Sequence, residues 1–432
     1  MTDTARGEAT WFGQPRGLTI LFLTNMWEQF SYFGMRALLV YYMTKTLLIG
    51  QGTSSFIYGT YTAFAYFTPI VGGTIADRWL GKRRSVIIGA SVMAAGHFMM
   101  AFGPLFYFAL ATIALGNGLF LPTLPSQIND LYTAGDPRRP WAYNVYYVGI
   151  NFGAFIAPLI CGTLGEVYGW HWGFTAAGIG MLAGLVIYLT GAKYLPPETP
   201  RPRVEAAPAA GHAPAPYLVL LGIGLAVTVF RGAYEQVGNT VALWADTGID
   251  RGLGHFVIPM TWFQSLDPLL VIVMTPPLLV YWRRRAEKGR DHSPMQKMAM
   301  GAWIVAGSYL VLAAVSAMAG AGRASWLWFA VFFAVFTFGE LHILPNGLGL
   351  FARLAPPRFG ATTVAAWYFA IFTGSSAAGL IGMLWSRIGH SWFFGLLAAI
   401  AASSGVVLLL LDRPARRVVA ERPEPPPAAS SI

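Results

Sequence analysis

Charge is scarce in this chain. Only 11% of its 432 residues are Asp, Glu, Lys or Arg, against roughly 25% in a typical soluble domain. Water is therefore excluded as the solvent for most of the surface. Cysteine is nearly absent, with Cys161 alone, which excludes an internal disulfide framework. No His, Cys and acidic residues cluster at metal-ligand spacing, so no metal or other cofactor is expected. No nucleophile–base set stands out either, and the chain is not expected to be an enzyme. The first sixteen residues, MTDTARGEATWFGQPR, lack an apolar core and a small-residue cleavage site. They do not read as a cleavable signal, and the first span is expected to stay as a permanent helix.

What is abundant is apolar sequence, 55% of the chain. Apolar spans lie near 17–46, 54–76, 85–103, 105–132, 141–166, 172–195, 217–246, 255–282, 295–319, 324–351, 361–388 and 391–411. Each meets the ~20 residues needed to cross ~30 Å of hydrocarbon. The net charge of +10 invites a nucleic-acid reading, but its placement argues against one. With both termini on one side, that side holds 23 of the 29 basic residues, and the opposite loops hold Lys45, Arg251, Arg323 and Arg387. Such a bias puts both termini in the cytoplasm of a multi-pass inner-membrane protein. The remaining two, Arg36 and Arg231, lie inside spans.

The segment PPETPRPRVEAAPAAGHAPAP, residues 196–216, reads as a flexible cytoplasmic linker. It divides the chain into a cytoplasmic N-terminus (1–16), a six-helix bundle over 17–195, a second over 217–411 and a disordered tail from 412 to 432. An Arg-rich loop follows the second span of each half, at 77–84 and at 283–288. Glycine and proline interrupt many spans, at Gly72-Gly73, Gly116, Gly118, Pro122, Pro125, Pro158, Pro268, Pro276-Pro277 and Pro345. Close helix packing accounts for most of them.

Glu28, Glu235, Asp267 and Glu340 sit deep in spans, with Arg36 and Arg231. A charge at mid-bilayer costs on the order of 3 kcal/mol or more, so each must face a partner or a wet cavity. Asn25, Glu28, Gln29, Tyr32 and Arg36 share one face of the first helix, and Arg231, Glu235 and Asn239 share one face of the seventh. Asn144, Tyr147 and Asn151 on the fifth and Gln264 with Asp267 on the eighth repeat the pattern. Polar stripes in both halves describe a chamber between them.

These residues also carry a resemblance. Gly72-Gly73-Thr74-Ile75-Ala76-Asp77-Arg78-Trp79-Leu80-Gly81-Lys82-Arg83-Arg84 and Tyr146-Tyr147-Val148-Gly149-Ile150-Asn151-Phe152-Gly153 resemble motifs of the proton-dependent oligopeptide transporter family of the major facilitator superfamily. Segments around Glu235, Trp262-Phe263-Gln264-Ser265 and Gly339-Glu340 are similar as well. The resemblance implies an all-α membrane fold with 12 transmembrane helices in two six-helix bundles. It also implies a monomeric proton-coupled symporter that imports small peptides by alternating access, its partners a di- or tripeptide-like solute, protons and the bilayer. The chain departs from the family pattern in four places. Asn25 stands for a glutamate and Gln29 for an arginine in the first-helix motif, and Leu121 stands for a lysine before Pro122. Arg231 stands for a tryptophan, and Asp267 for an asparagine.

The exchanged charges suggest a relocated coupling network built on Glu235, Arg36, Glu28, Asp267 and Arg231, with Arg231 paired to Asp267 and Arg36 facing Glu235. Glu235 is expected to change its hold on a proton as Arg36 approaches or leaves. The resemblance implies Glu340 for a substrate amine and a pocket of Tyr32, Tyr66, Asn151 and Gln29. Arg36 would hold the carboxylate by a bidentate fork. Trp262 and Trp367 are candidates to floor the cavity by stacking, although aromatic packing and interface belts explain most of the 15 tryptophans. Asp77, Arg78, Arg83 and Arg84 read as a cytoplasmic gating loop. His97 is expected to bond a neighbouring helix and His342 to pack. The alternatives are a proton-coupled or uncoupled carrier of a non-peptide metabolite or drug, and a sensor.

Overall fold

The computed structural model describes residues 10–11, 13–133, 136, 138–198, 217–343, 346–347, 350–351 and 360–420. The linker from 199, Pro345 and the tail from 421 lie outside them. The described chain is helical almost throughout. In the first half α1 spans Arg16–Lys45, α2 Gln51–Ile75, α3 Lys82–Met99, α4 Phe106–Phe120, α5 Arg139–Ala157 and α6 Trp170–Gly191. In the second, α7 spans Tyr217–Tyr234, α8 Leu266–Glu287, α9 Pro294–Ala319, α10 Leu327–Glu340, α11 Gly360–Gly382 and α12 His390–Ala420. Strands are confined to two-residue pairs in loops, such as Ile249–Asp250 beside Ala324–Ser325.

Among the described residues, eight helical runs are long and apolar enough to cross a membrane by length and composition. The 30-residue α1 and 25-residue α2 are long enough, but polar stripes dilute them. Those stripes face protein. Large apolar side chains such as Phe108, Leu115, Ile179, Val186, Leu221, Leu310 and Leu410 are instead exposed, as a lipid-facing surface requires.

α1 packs on α5 and α6, α2 on α4, and α3 on α4 and α6; in the second half α9 packs on α10 and α12, α7 on α11 and α12, and α8 on α10. The halves meet along α2–α11 and α5–α8. Glycine sets the first of these seams. A Cβ on Gly59 would stand 2.4 Å from the Cα of Gly379, so only hydrogen on both residues allows this approach.

α12 differs from expectation. It continues as helix to Ala420, where a disordered tail from 412 was expected. Asp412 is buried and accepts hydrogen bonds from Ser293, from Gln296 at 3.2 Å and from Arg416 at 2.5 Å. Ser293 and Gln296 form the capping box of α9. The two helix ends therefore stabilise each other, a contact invisible to composition.

Candidate functional site

α7 breaks where its carboxylate sits. The α-helix ends at Tyr234, a tight turn covers Glu235–Gly238, and helix resumes over Thr240–Thr247. Gln236 repairs the break: its amide donates to Ala378 O at 2.8 Å and its carbonyl accepts from Thr240 at 2.9 Å. A discontinuous helix of this kind is tolerated at membrane depth because neighbours satisfy the freed groups.

Glu235 is fully buried and is held by two arginines, one from each half. Nη2 of Arg36 on α1 donates to Oε2, and Nη2 of Arg231, one turn earlier on α7, donates to Oε1. Nε of Arg36 donates to Tyr58 OH at 2.6 Å. Arg231 lies over the rings of Tyr66, at 5.1 Å, and Tyr234, at 4.7 Å. Two cations on one anion leave a net positive cluster, which the aromatic faces partly offset.

The expected pair of Arg231 with Asp267 does not form. The i,i+4 spacing places Arg231 directly over Glu235, while Asp267 accepts from Thr337 Oγ1 at 2.6 Å and lies beside Glu340 of α10. Tyr234 OH donates to Glu340 Oε1 at 2.8 Å. Tyr147 of α5 faces this acid pair from the other half.

The first-half residues divide. Gln29 donates to the buried Glu28 at 2.7 Å, and Tyr146 OH to Asn25 Oδ1 at 2.9 Å. Tyr32 stacks on Tyr61 at 6.4 Å between centroids. Asn151 turns to its own helix, donating to Tyr147 O at 3.0 Å. The structure does not bring Trp367 or Trp262 to the cavity floor. Trp367 packs edge-to-face on Phe351 and against Gly347 in the second-half core, because α11 turns that face toward the segment after α10. Trp262 donates from Nε1 to Thr163 at 2.8 Å near the end of the molecule. His342 packs on Trp282 and Phe338, with Nδ1 near Phe338 O at 2.8 Å. Neither ring nitrogen of His97 meets the expected partner; α4 presents Ile113 and Ala109 to that turn, and neither side chain carries a polar atom.

At the end carrying Lys45, the halves are clasped. Glu166 accepts from Met260 N at 3.0 Å, Thr261 N at 2.9 Å and Thr261 Oγ1 at 2.6 Å, capping from across the interface the helical turn that leads into α8. Lys45 pairs with Asp246 at 2.7 Å, and Gln51 donates to Gly382 O at 2.9 Å. At the opposite end the expected gating loop is only partly engaged. Arg83 Nη2 donates to Leu195 O at 2.6 Å and Pro196 O at 2.8 Å, and Arg83 N to Glu198 Oε1 at 2.5 Å. Asp77, Arg78 and Arg84 are exposed. The second contact comes instead from Lys82, to Asp130. Gly81, at φ +76°, makes the sharp turn between α2 and α3 that aims both.

Sequence reasoning missed Tyr58, Tyr234, Thr337, Lys82 and Glu166. Tyr58 was findable: with Tyr61, Thr62, Ala65 and Tyr66 it forms a period of three to four along α2.

The model of the POT family matches residues 83–208 and 217–393. An uncharacterized transporter, YclF, of Bacillus subtilis is 32% identical, covering 90% of this chain and 92% of its own. A di-/tripeptide transporter of Lactococcus lactis subsp. cremoris is 30% identical, covering 93% and 95%. A crystal structure of a peptide transporter POT in complex with sulfate superposes with TM-score 0.88 at 27% identity, covering 95% of this chain and 97% of that one. An all-α membrane fold, a broken α7 carrying a buried glutamate, and matches across both halves lead to one assignment: the chain belongs to the POT family of membrane transporters, of the major facilitator superfamily.

Proposed function

We propose that this chain is a proton-coupled symporter that imports di- or tripeptide-like solutes by alternating access. It works as a monomer in a bacterial inner membrane, with both termini in the cytoplasm and 12 transmembrane helices in two bundles. The observation that carries this reading is Glu235 gripped by Arg36 from one half and Arg231 from the other. A proton on Glu235 removes the negative charge to which both adjacent cations are bonded. Arg36 is then repelled by Arg231 and becomes free to take a substrate carboxylate by its fork. Releasing it also releases one tie between the halves, so binding and rocking become linked. Glu340 would take the amine, with Tyr32, Tyr66, Gln29 and Asn151 around the backbone of the solute. Glu28 is a second candidate proton site in the first half. Inward movement of the proton would draw on ~2.3 kcal/mol per charge per 100 mV.

The transport test uses proteoliposomes with a pH dye inside and an inward proton gradient. Adding dialanine should acidify the lumen, and Glu235→Gln should abolish uphill accumulation while keeping counterflow exchange. Equal accumulation by the wild type and Glu235→Gln would overturn the coupling role. A second reading, carriage of a solute without a carboxylate, is favoured by Leu121 in the expected lysine position. Equal competition by dialanine and its C-terminal amide would favour it.

A further inference from the structure

The second half carries an acid pair that the arginine cluster does not absorb. Asp267 on α8 and Glu340 on α10 lie within hydrogen-bonding reach of each other. The groups bonded to them are neutral hydroxyls, Thr337 to Asp267 and Tyr234 to Glu340. Oε2 of Glu340 is buried, and among the described residues no amide, hydroxyl or cation donates to it. The charged and titratable groups that face the pair are Arg36 from α1, Tyr147 from α5, and Arg231 and Tyr234 from α7. Both arginines are already spent on Glu235. Glu340 is buried and Asp267 partly so; two carboxylates in contact there repel, and a single proton between them relieves the repulsion with a hydrogen bond.

We infer that Asp267 and Glu340 together hold one proton in the empty carrier, and that a substrate ammonium displaces it. In this exchange the carboxyl O–H bond breaks and the proton leaves to water. The pair becomes two carboxylates that accept N–H bonds from the ammonium, and the charge of the site is unchanged. The inference rests on the proposed reading of Glu340 as the amine site and adds a specificity element, Asp267. With asparagine at 267 the amine would meet one carboxylate only. With aspartate the site selects a primary ammonium and rejects an N-acetylated analogue, which brings no charge to replace the proton.

Calorimetric titration of the full-length chain in lipid nanodiscs tests this. Dialanine is titrated at neutral pH in phosphate and in imidazole, whose ionisation enthalpies differ, so the heats count protons exchanged. The wild type should release about one proton more per dialanine bound than Asp267→Asn does. Asp267→Asn should still bind, about tenfold more weakly, and Glu340→Gln should lose both the release and the tight binding. Thermal melting confirms that each variant is folded. Equal release by the wild type and Asp267→Asn would overturn the proposal. If dialanine produces no binding heat, the peptide reading fails and phenethylamine takes its place. Proton release with phenethylamine that is lost in Asp267→Asn would then support the pair alone, and absence of binding by both amines would overturn it.

Discussion

Arg36 makes two contacts through two different nitrogens of one planar guanidinium. Its Nε reaches Tyr58 and its Nη2 reaches Glu235, a planar fork spanning two elements. Removing one partner of a buried pair typically costs about 3–5 kcal/mol. Arg231 remains on Glu235, so Arg36→Ala should fall at the lower end of that range. Thermal unfolding in detergent should show a clearly lowered Tm, and an unchanged Tm would mean the pair contributes nothing. Tyr58→Phe should lose about 1 kcal/mol, the net worth of one hydrogen bond. That Arg36 would face Glu235 was readable from the sequence because so few charges lie at membrane depth. The partner of Arg231 was not. Both Glu235, one turn away, and Asp267, on another helix, were chemically suitable, and only the rotation of α8 toward Thr337 and Glu340 decides between them.

Helices here are placed by what they lack as much as by what they carry. Gly59 and Gly379 let α2 and α11 touch backbone to backbone, and the break at Glu235–Gly238 bends α7 around Tyr58. Glu166, beyond the end of α5, satisfies three donors in the turn that leads into α8. Glu166→Ala leaves two backbone N–H groups and a hydroxyl without their acceptor, at about 1–3 kcal/mol for each that stays buried. The clasped end should then open more often. A cysteine introduced at Thr163 should react faster with a membrane-impermeant maleimide in the Glu166→Ala background, and equal rates would show that the clasp does not hold this end. Helix positions were legible from apolar runs and loop charges. The reach of α12 to Ala420 was not, because it depends on Asp412 meeting the cap of α9, a contact between residues far apart in sequence.

Across the whole molecule the cross-half hydrogen bonds and ion pairs among the described residues run from the Lys45 end down to Glu235. No such bond joins the halves near Lys82 or Arg285 among those residues. The bonds at the Lys45 end support a carrier closed there, with the Arg36–Glu235 tie among them. Sequence could place ionisable groups in both halves, but which end they close depends on packing between helices that are remote in the chain. The central claim is that the charge on Glu235 governs that closure. Spin labels at Leu48 and Leu253, both exposed at the clasped end, and at Trp79 and Arg284, both exposed at the other, report the two openings, while Cys161 is buried. Distances measured by double electron–electron resonance should lengthen for Leu48–Leu253 and shorten for Trp79–Arg284 when Glu235→Gln is introduced. Identical distance distributions in the wild type and Glu235→Gln would contradict the account.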